Sequence, residues 1–501
     1  CDAVLRKSFN PFVYFLKNYF GQSAAPDVAA FENKLNALIE KTGDAELAAE
    51  LSNLSSFLGA LIGADRKHSR CASADPAARY NNSVYAVKAL IKAECGIRPV
   101  VVEIEDGHWI DKDSLTLLRT LVRNVERYPF IIISQCRYND DGGLFSFGLK
   151  DAAENRIAID GLDGLSARAM TAAAICGAAK KPVPKKTLDF IFERSGGNPF
   201  YIEQIVNYLK ENALLDAGFN LSRTRFDIPS TISSIIVARL DRLANELKET
   251  ARTASVLGNT FSVNILLSML AVLNSGGSGE LPMQLREGER QLLWETLSEM
   301  EYIFRHSLIR ESIYSMQLKK HLRVLHQLAG KAIEALYRDN LSGRFGELAG
   351  HYESAENYPK AEEYLQKAAE YEAKNYHNET ATAFYERLLK LMDKRKPLPD
   401  GKNKNSCRDF IEKKEEILCA RGKILEVTGG WDEAAKIFGE ALKLSLRLRD
   451  DKRVANAYLY CGIIASCKGD FRGALKYLFR SLELYERIKD AHGVSKVAGH
   501  M

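Results

Sequence analysis

Three short stretches of this chain carry side chains able to do chemistry. The first is 99–114, PVVVEIEDGHWIDKDS, in which a β-branched run ends in two carboxylates, Glu105 and Asp106. At the carboxyl end of a parallel strand such a pair can hold Mg2+ through water and orient an attacking water. The second is 130–137, FIIISQCR, another apolar run followed by a cation, Arg137, able to face a phosphate. The third is 195–203, SGGNPFYIE, where Gly197, Asn198 and Pro199 open a helix. Its glycines give backbone freedom, and its proline can pack flat against a base. Each stretch also has a plainer reading: a solvated strand-end turn, a surface arginine, an ordinary helix start. No Ser/His/Asp or Cys/His grouping marks a nucleophile. No H-E-x-x-H or C-x-x-C occurs, and no Cys/His spacing fits zinc.

The elements around these stretches follow from periodicity. Pro99–Ile104 reads as a strand buried on both faces of a parallel sheet, and 113–127 as an amphipathic helix capped by Asp111 or Asp113. Tyr128-Pro129 ends that helix, and Phe130–Ser134 is a second strand. Strand, helix and strand form a parallel βαβ unit. Residues 1–95 read mostly as helix, with an aromatic face at Phe12, Tyr14, Phe15, Tyr19 and Phe20 and a polar break at 65–82. From 160 to 335 the pattern is helical. It breaks at Lys180–Lys186, at 196–199, near Pro229 and at 274–280, with a β-like piece at Tyr302–Phe304.

From about 345 the chain resembles itself. Gly422, Ala434, Phe438 and Ala441 have spacings of 12, 4 and 3, and Gly462, Ala474, Leu478 and Ser481 repeat them 40 residues later. Ala349, Ala361, Leu365 and Ala368 show them as well. Small residues let two helices of a hairpin approach, and the large one fills the gap between hairpins. This is the tetratricopeptide pattern, with a period longer than the usual ~34 residues. Residues 393–408 interrupt it as an exposed loop.

Composition bounds the rest. The 501 residues carry 70 Lys+Arg against 65 Asp+Glu, a net charge of +5 that makes no case for nucleic acid or an anionic membrane. Nine scattered cysteines fit free thiols in a reducing compartment. No apolar stretch reaches the ~20 residues of a membrane span, and no signal peptide opens the chain. A cytoplasmic location is the expectation. Cys461 and Cys467 are expected as small core residues, and Trp109, Trp294 and Trp431 as packing anchors. The short basic runs read as solvated loops.

Together the three stretches resemble the Walker B, sensor 1 and G-x-P elements of STAND-class signalling ATPases. These AAA-related modules accompany class III adenylate/guanylate cyclases, bacterial transcription regulators and some kinases. IPSTISSIIVARLDRLANELKETARTASVL (228–257) and FRHSLIRESIY (304–314) are similar to the lid and winged-helix region of that group, and 1–20 resembles the segment after its second strand. The resemblance implies ATP and Mg2+ as cofactors. Glu105 and Asp106 would then be the catalytic and metal-binding carboxylates, with Arg137, Gly197, Asn198 and Pro199 on the nucleotide. His306 falls where some members sense the nucleotide. The acidic pair runs Glu then Asp, the reverse of many such sites, so strong hydrolysis is not expected. The P-loop core Gly-Lys-[ST] is also missing: Gly330-Lys331, Gly401-Lys402 and Gly422-Lys423 lack both the upstream glycine and the following Ser/Thr. The expectation is an internal piece of a longer protein that binds ATP poorly by itself.

The fold expected is therefore mainly α with an α/β part. An incomplete P-loop-type sheet domain (1–160) is followed by a helical lid (161–225), a winged-helix-like region (226–340) and an α-hairpin solenoid (341–501). The function expected is a regulatory ATP-binding and protein-interaction region of a multidomain signalling protein. Partners would bind the repeats, and a class III cyclase outside this chain would be the output. The alternatives are an inert scaffold and an ATP-dependent transcription regulator of the same group.

Overall fold

The computed structural model describes residues 8–22, 26–64, 69–138, 143–177, 181–221, 231–273, 280–395 and 404–501. The sequence readings at 1–7, 228–230, 274–279, Lys180 and 396–403 lie outside them.

Five helices lead in: α1 (Asn10–Tyr19), α2 (Val28–Lys41), α3 (Ala45–Ile62), α4 (Arg70–Ser73) and α5 (Pro76–Ile97). Aspartates cap three of them: Asp27, Asp44 and Asp75 accept backbone N–H groups of the first turns of α2, α3 and α5. Pro76 at the first helical position lets α5 start inside the stretch read as a polar break. Next come β1 (Val100–Ile104), α6 (Lys112–Leu121) and β2 (Phe130–Ser134). The two strands pair in parallel, Val100 opposite Phe130 through Ile104 opposite Ser134. Helix α6 stops at Leu121, well short of 127, and Asn124 turns left-handed (φ 51°).

The strands are not buried on both faces. Val100, Val102 and Ile104 face a core built from α1–α6, while Val101, Ile131 and Ile133 on the opposite face are 62, 56 and 48% exposed. The pleat explains it: alternate residues point to opposite sides, and only one side is covered among the described residues.

Three helices, α7 (Gly164–Cys176), α8 (Lys185–Ser195) and α9 (Pro199–Glu211), form a second small core with Ile191, Ile202 and Ile205 at its centre. Then follow α10 (Ile232–Leu240), α11 (Asn245–Ser255), β3 (Thr260–Ser262), α12 (Val263–Leu273), α13 (Leu281–Arg290), β4 (Trp294–Ser298), β5 (Glu301–Phe304), α14 (Ser307–Ser315) and α15 (Lys319–Leu336). Strand β5 lies between β3 and β4, antiparallel to both. Trp294 is fully buried and donates to the Leu285 carbonyl at 2.9 Å, so it is the anchor expected. Trp109 and Trp431 are not: they are 45 and 41% exposed.

The rest is stacked hairpins: α16 (Phe345–Ser354), α17 (Tyr358–Lys374), α18 (Asn378–Lys394), α19 (Lys404–Val427), α20 (Trp431–Leu448), α21 (Asp451–Cys467), α22 (Phe471–Arg487) and α23 (Ala491–Ala498). The repeat spacing does what its residue sizes require. A Cβ at Gly422 would meet the Phe438 ring at 2.6 Å, and one at Gly462 would meet Leu478 at 2.8 Å. Cys461 is half-buried here, but Cys467 is exposed at the end of α21. One hydrophobic core continues from Ile236 in α10 to Val497 in α23. The fold is thus mainly helical, with a small parallel sheet and an α-hairpin solenoid.

Candidate functional site

The acidic pair sits where β1 turns away. Glu105 is exposed and Asp106 half-buried, with Asp106 left-handed at φ 49°, a conformation Asp tolerates better than most residues. Gly107 follows and tucks under the neighbouring strand, its N–H donating to the Gln135 carbonyl at 2.9 Å. A Cβ there would meet Ser134 Oγ at 2.5 Å, Phe147 at 2.8 Å and Cys136 Sγ at 2.9 Å, so only glycine fits. The turn ends at Asp111, which caps α6 by accepting the Ser114 N–H at 2.8 Å. Asp113, the other candidate cap, is instead buried and accepts from the hydroxyls of Ser8 and Thr380 at 2.7 and 2.6 Å and of Tyr80 at 3.1 Å.

Arg137 lies just past β2 and reaches across to α14. Its guanidinium donates to Ser307 Oγ at 2.9 Å and to Glu311 Oε1 at 3.1 Å, both on α14. Its backbone N–H points at His108 Nδ1, 3.4 Å away. Burial lowers the His108 pKa, Arg137 adds to that, and Asp106 and Glu311 oppose it. Among the described residues the buried His108 Nε2 has no partner.

His306 caps α14. Its Nδ1 accepts the Leu308 N–H at 3.1 Å, so the ring is neutral with its proton on Nε2. Burial lowers its pKa, and Arg137 pushes the same way. The ring stacks on Phe200, centroids 4.1 Å apart and planes 16° from parallel. Phe200 directly follows Pro199, the first residue of α9, whose cap Asn198 accepts the Tyr201 N–H at 3.0 Å. Gly196 and Gly197 have φ of 57° and 76°. The Gly197 carbonyl accepts from the Leu162 N–H at 2.8 Å, and a Cβ on Gly197 would strike the Leu162 carbonyl. Asn198 and Pro199 themselves are exposed, with Gly197 buried beneath them.

Residues far apart in sequence therefore converge. Arg137, His306, Ser307, Glu311 and Phe200 form one continuous set of contacts, with Asp106 close enough to act on His306 electrostatically. The motif reading did not single out Phe200, Ser307, Glu311 or His108. Phe200 had one visible signal, its place beside Pro199. Ser307 and Glu311 had another, their i, i+4 spacing on the helix that His306 opens.

Glu105, Asp106 and Arg137 carry the charges that half of a Mg-nucleotide site would need. Two carboxylates and an arginine suit Mg2+ and phosphate charge. Among the described residues no Gly-Lys pair forms a phosphate cradle. Gly330 and Gly422, heads of two Gly-Lys pairs, lie inside α15 and α19 against Tyr352 and Phe438. Gly401-Lys402 lies outside the described residues. Among the described residues no cluster of three or more His, Cys, Asp or Glu is arranged to hold a metal, and no helix is long and apolar enough to cross a membrane.

Residues 415–487 match the tetratricopeptide repeat family. That match covers α20, α21, α22 and most of α19, and supports a protein-interaction region there. An uncharacterized protein of Rhizobium meliloti (strain 1021) is 28% identical over 258 residues, 50% of this chain and 24% of the relative. The chain thus spans about a quarter of the length of that curated relative. Two solved structures are similar at low scores. One is a Signal Transduction ATPase with Numerous Domains (STAND) protein with a tetratricopeptide repeat sensor from Pyrococcus horikoshii. It has a TM-score of 0.35 and 12% identity, covering 99% of this chain and 78% of that one. The other is the apo form of RapI, with a TM-score of 0.27, 13% identity, and coverage of 62% and 68%. Both scores lie below the level at which a common arrangement of elements follows.

Proposed function

We propose that this chain is the nucleotide-sensing and partner-binding region of a multidomain signalling protein. Its output by family resemblance would be a class III adenylate/guanylate cyclase. The observation that carries the reading is a set of contacts between separate segments: Arg137 at the end of β2 holds the helix opened by His306, whose ring stacks on Phe200, the residue after Pro199. A ligand bridging them would couple the sheet unit, the lid helices and the winged region, and bias one arrangement over another. One face of β1 and β2 is uncovered among the described residues, which agrees with it. Parallel strands are ordinarily covered on both sides, and Val101, Ile131 and Ile133 offer an apolar surface for helices of an ATP-binding domain.

In this reading Glu105 and Asp106 hold Mg2+, Arg137 meets phosphate, and the Gly197-Asn198-Pro199 turn borders the base. Bound Mg·ATP would supply the polyanion that draws Arg137 from Glu311. Residues 1–501 alone are expected to bind Mg·ATP more weakly than about 1 mM. Micromolar binding by isothermal titration would contradict the half-site assignment. In the complete gene product, Arg137→Ala and Pro199→Ala should each weaken the output's nucleotide response at least tenfold. An unchanged response would remove the proposal.

The missing Gly-Lys-[ST] core favours a second reading, an inert ATPase fold that only carries the repeats. The complete reading frame decides between them, since an intact P-loop upstream supports the sensor and its absence the scaffold.

A further inference from the structure

The hairpin of α21 and α22 carries a surface that the described hairpins before it lack. Aligned on Ala361, Ala434 and Ala474, the second helices α17, α20 and α22 begin with Tyr358, Trp431 and Phe471. Four and eight residues on, α17 has Glu362 and Gln366, and α20 has Ala435 and Gly439. Helix α22 has Leu475 and Phe479 instead. In α17 the first of these places serves the array itself, for Glu362 pairs with Arg395 at 2.6 Å. In α22 all three large apolar side chains face outward: Phe471, Leu475 and Phe479 are 68, 42 and 58% exposed. Residues four apart lie on one helix face, so they form a single stripe. The stripe is separate from the flank of α22 that already packs. Leu478 fills the space over Gly462 of α21, and Tyr485 lies against Gly493 of α23.

Beside the stripe runs a row of one charge. Arg472, Lys476 and Arg480 are exposed and also four apart, displaced by one residue from the apolar row. Arg480 meets Glu483 at 3.0 Å with both side chains 68% exposed, a pair too wet to neutralise the row. The partner that matches three apolar side chains bordered by three cations is an amphipathic helix with large apolar anchors at i, i+4 and i+8 and carboxylates alongside.

We infer that the outer face of α22 is the docking surface for such an acidic, apolar-anchored helix of a partner protein. The aromatic rings supply the buried anchors, and the cations choose the sign of the rim. This inference goes beyond the nucleotide reading and does not need it, since the surface is present without ligand.

The test uses the whole 501-residue chain and two fluorescein-labelled synthetic 18-residue helices. Both carry Leu at i, i+4 and i+8; one carries Glu and the other Lys along the adjoining face. By fluorescence anisotropy the Glu helix should bind at least tenfold more tightly than the Lys helix, and less tightly as salt rises. Phe479→Glu should weaken it tenfold or more. The double substitution Arg472→Glu with Lys476→Glu should reverse the preference toward the Lys helix. All three positions are exposed, and an unchanged circular dichroism melt would show the variants folded. Equal binding of the two helices, or none, overturns the inference. So does binding to phosphatidylserine vesicles, but not to the Glu helix, that Phe479→Glu abolishes. A self-association that Phe479→Glu abolishes, seen in sedimentation without helix binding, overturns it as well.

Discussion

Gly107 shows how one residue can fix the geometry of the acidic turn. It lies between a carboxylate pair and a strand end, with no room for a methyl group. Gly107→Ala should therefore cost about 1–3 kcal/mol through overpacking against Ser134, Phe147 and Cys136. Urea unfolding of the purified chain measures it, and a cost near zero would mean that β1 and β2 part easily at this end. At this scale the sequence was informative about identity and silent about company. Glu105, Asp106, Arg137 and Pro199 stood out because each ends or begins an element with a readable pattern. Glu311 and Ser307 did not, because the contact that gives them meaning is with Arg137, about 170 residues away. The second candidate cap is a similar case. Asp111 and Asp113 are equivalent by local pattern, and only the tertiary neighbours Ser8, Tyr80 and Thr380 make one of them a buried acceptor.

Among the elements, the repeats were the most legible, because their packing is local and their size pattern recurs. Gly422 and Gly439 separate the two uses of glycine in a helix. Gly422→Ala should destabilise by about 1–3 kcal/mol, since the new methyl meets the Phe438 ring. Gly439→Ala has nothing within 4 Å and should stabilise by about 0.5–1 kcal/mol. The parallel strands were less legible: an apolar run cannot say that one of its faces lacks a cover. Least visible was the joint between α15 and the array. There the Nδ1 atoms of His326 on α15 and His351 on α16 share a hydrogen bond at 3.0 Å, and Tyr314 OH meets His326 Nε2 at 2.9 Å. Burial lowers His326 to about 3, helped by His351, and lowers His351 to about 4. Both are below the ordinary value of 6.5, so below that pH the unfolded chain binds more protons than the folded one. Stability is full above about pH 6.5 and falls as the pH drops toward those lowered values, by roughly 2 kcal/mol per histidine between pH 7.5 and 5. Urea titrations at the two pH values should show the loss, and His351→Leu should remove about half of the pH dependence. An unaltered dependence in that variant would mean that other groups carry it.

At the scale of the molecule, the chain folds back on itself. The hydroxyls of Ser8 ahead of α1 and Thr380 on α18 both donate to Asp113 on α6, and Ser8 also lies 3.2 Å from Glu372 at the end of α17. His377, in the turn before α18, pairs with Glu372 and sets its ring against Phe9, centroids 5.5 Å apart. The array is thus fastened to the sheet unit a few residues past Glu105 and Asp106. Two kinds of bond cross this junction, and they should differ in weight. Lys112 and Glu379 pair at 3.1 Å with both side chains more than half exposed, so Lys112→Ala should cost under about 0.5 kcal/mol. Asp113 is 1% exposed and takes three hydroxyl donors. Its removal takes the carboxylate acceptor from Thr380, Tyr80 and Ser8 at a buried position, so Asp113→Ala should cost about 2–4 kcal/mol. Because the acceptor and Thr380 belong to different units, a double-mutant cycle of Asp113→Ala with Thr380→Val should give a coupling of about 1 kcal/mol or more. Coupling at that level means that this bond holds the array to α6, two residues from the Asp111 cap of the acidic turn. If Asp113→Ala costs no more than Lys112→Ala, the two units touch without being held, and the array has no mechanical route to the acidic turn through this junction.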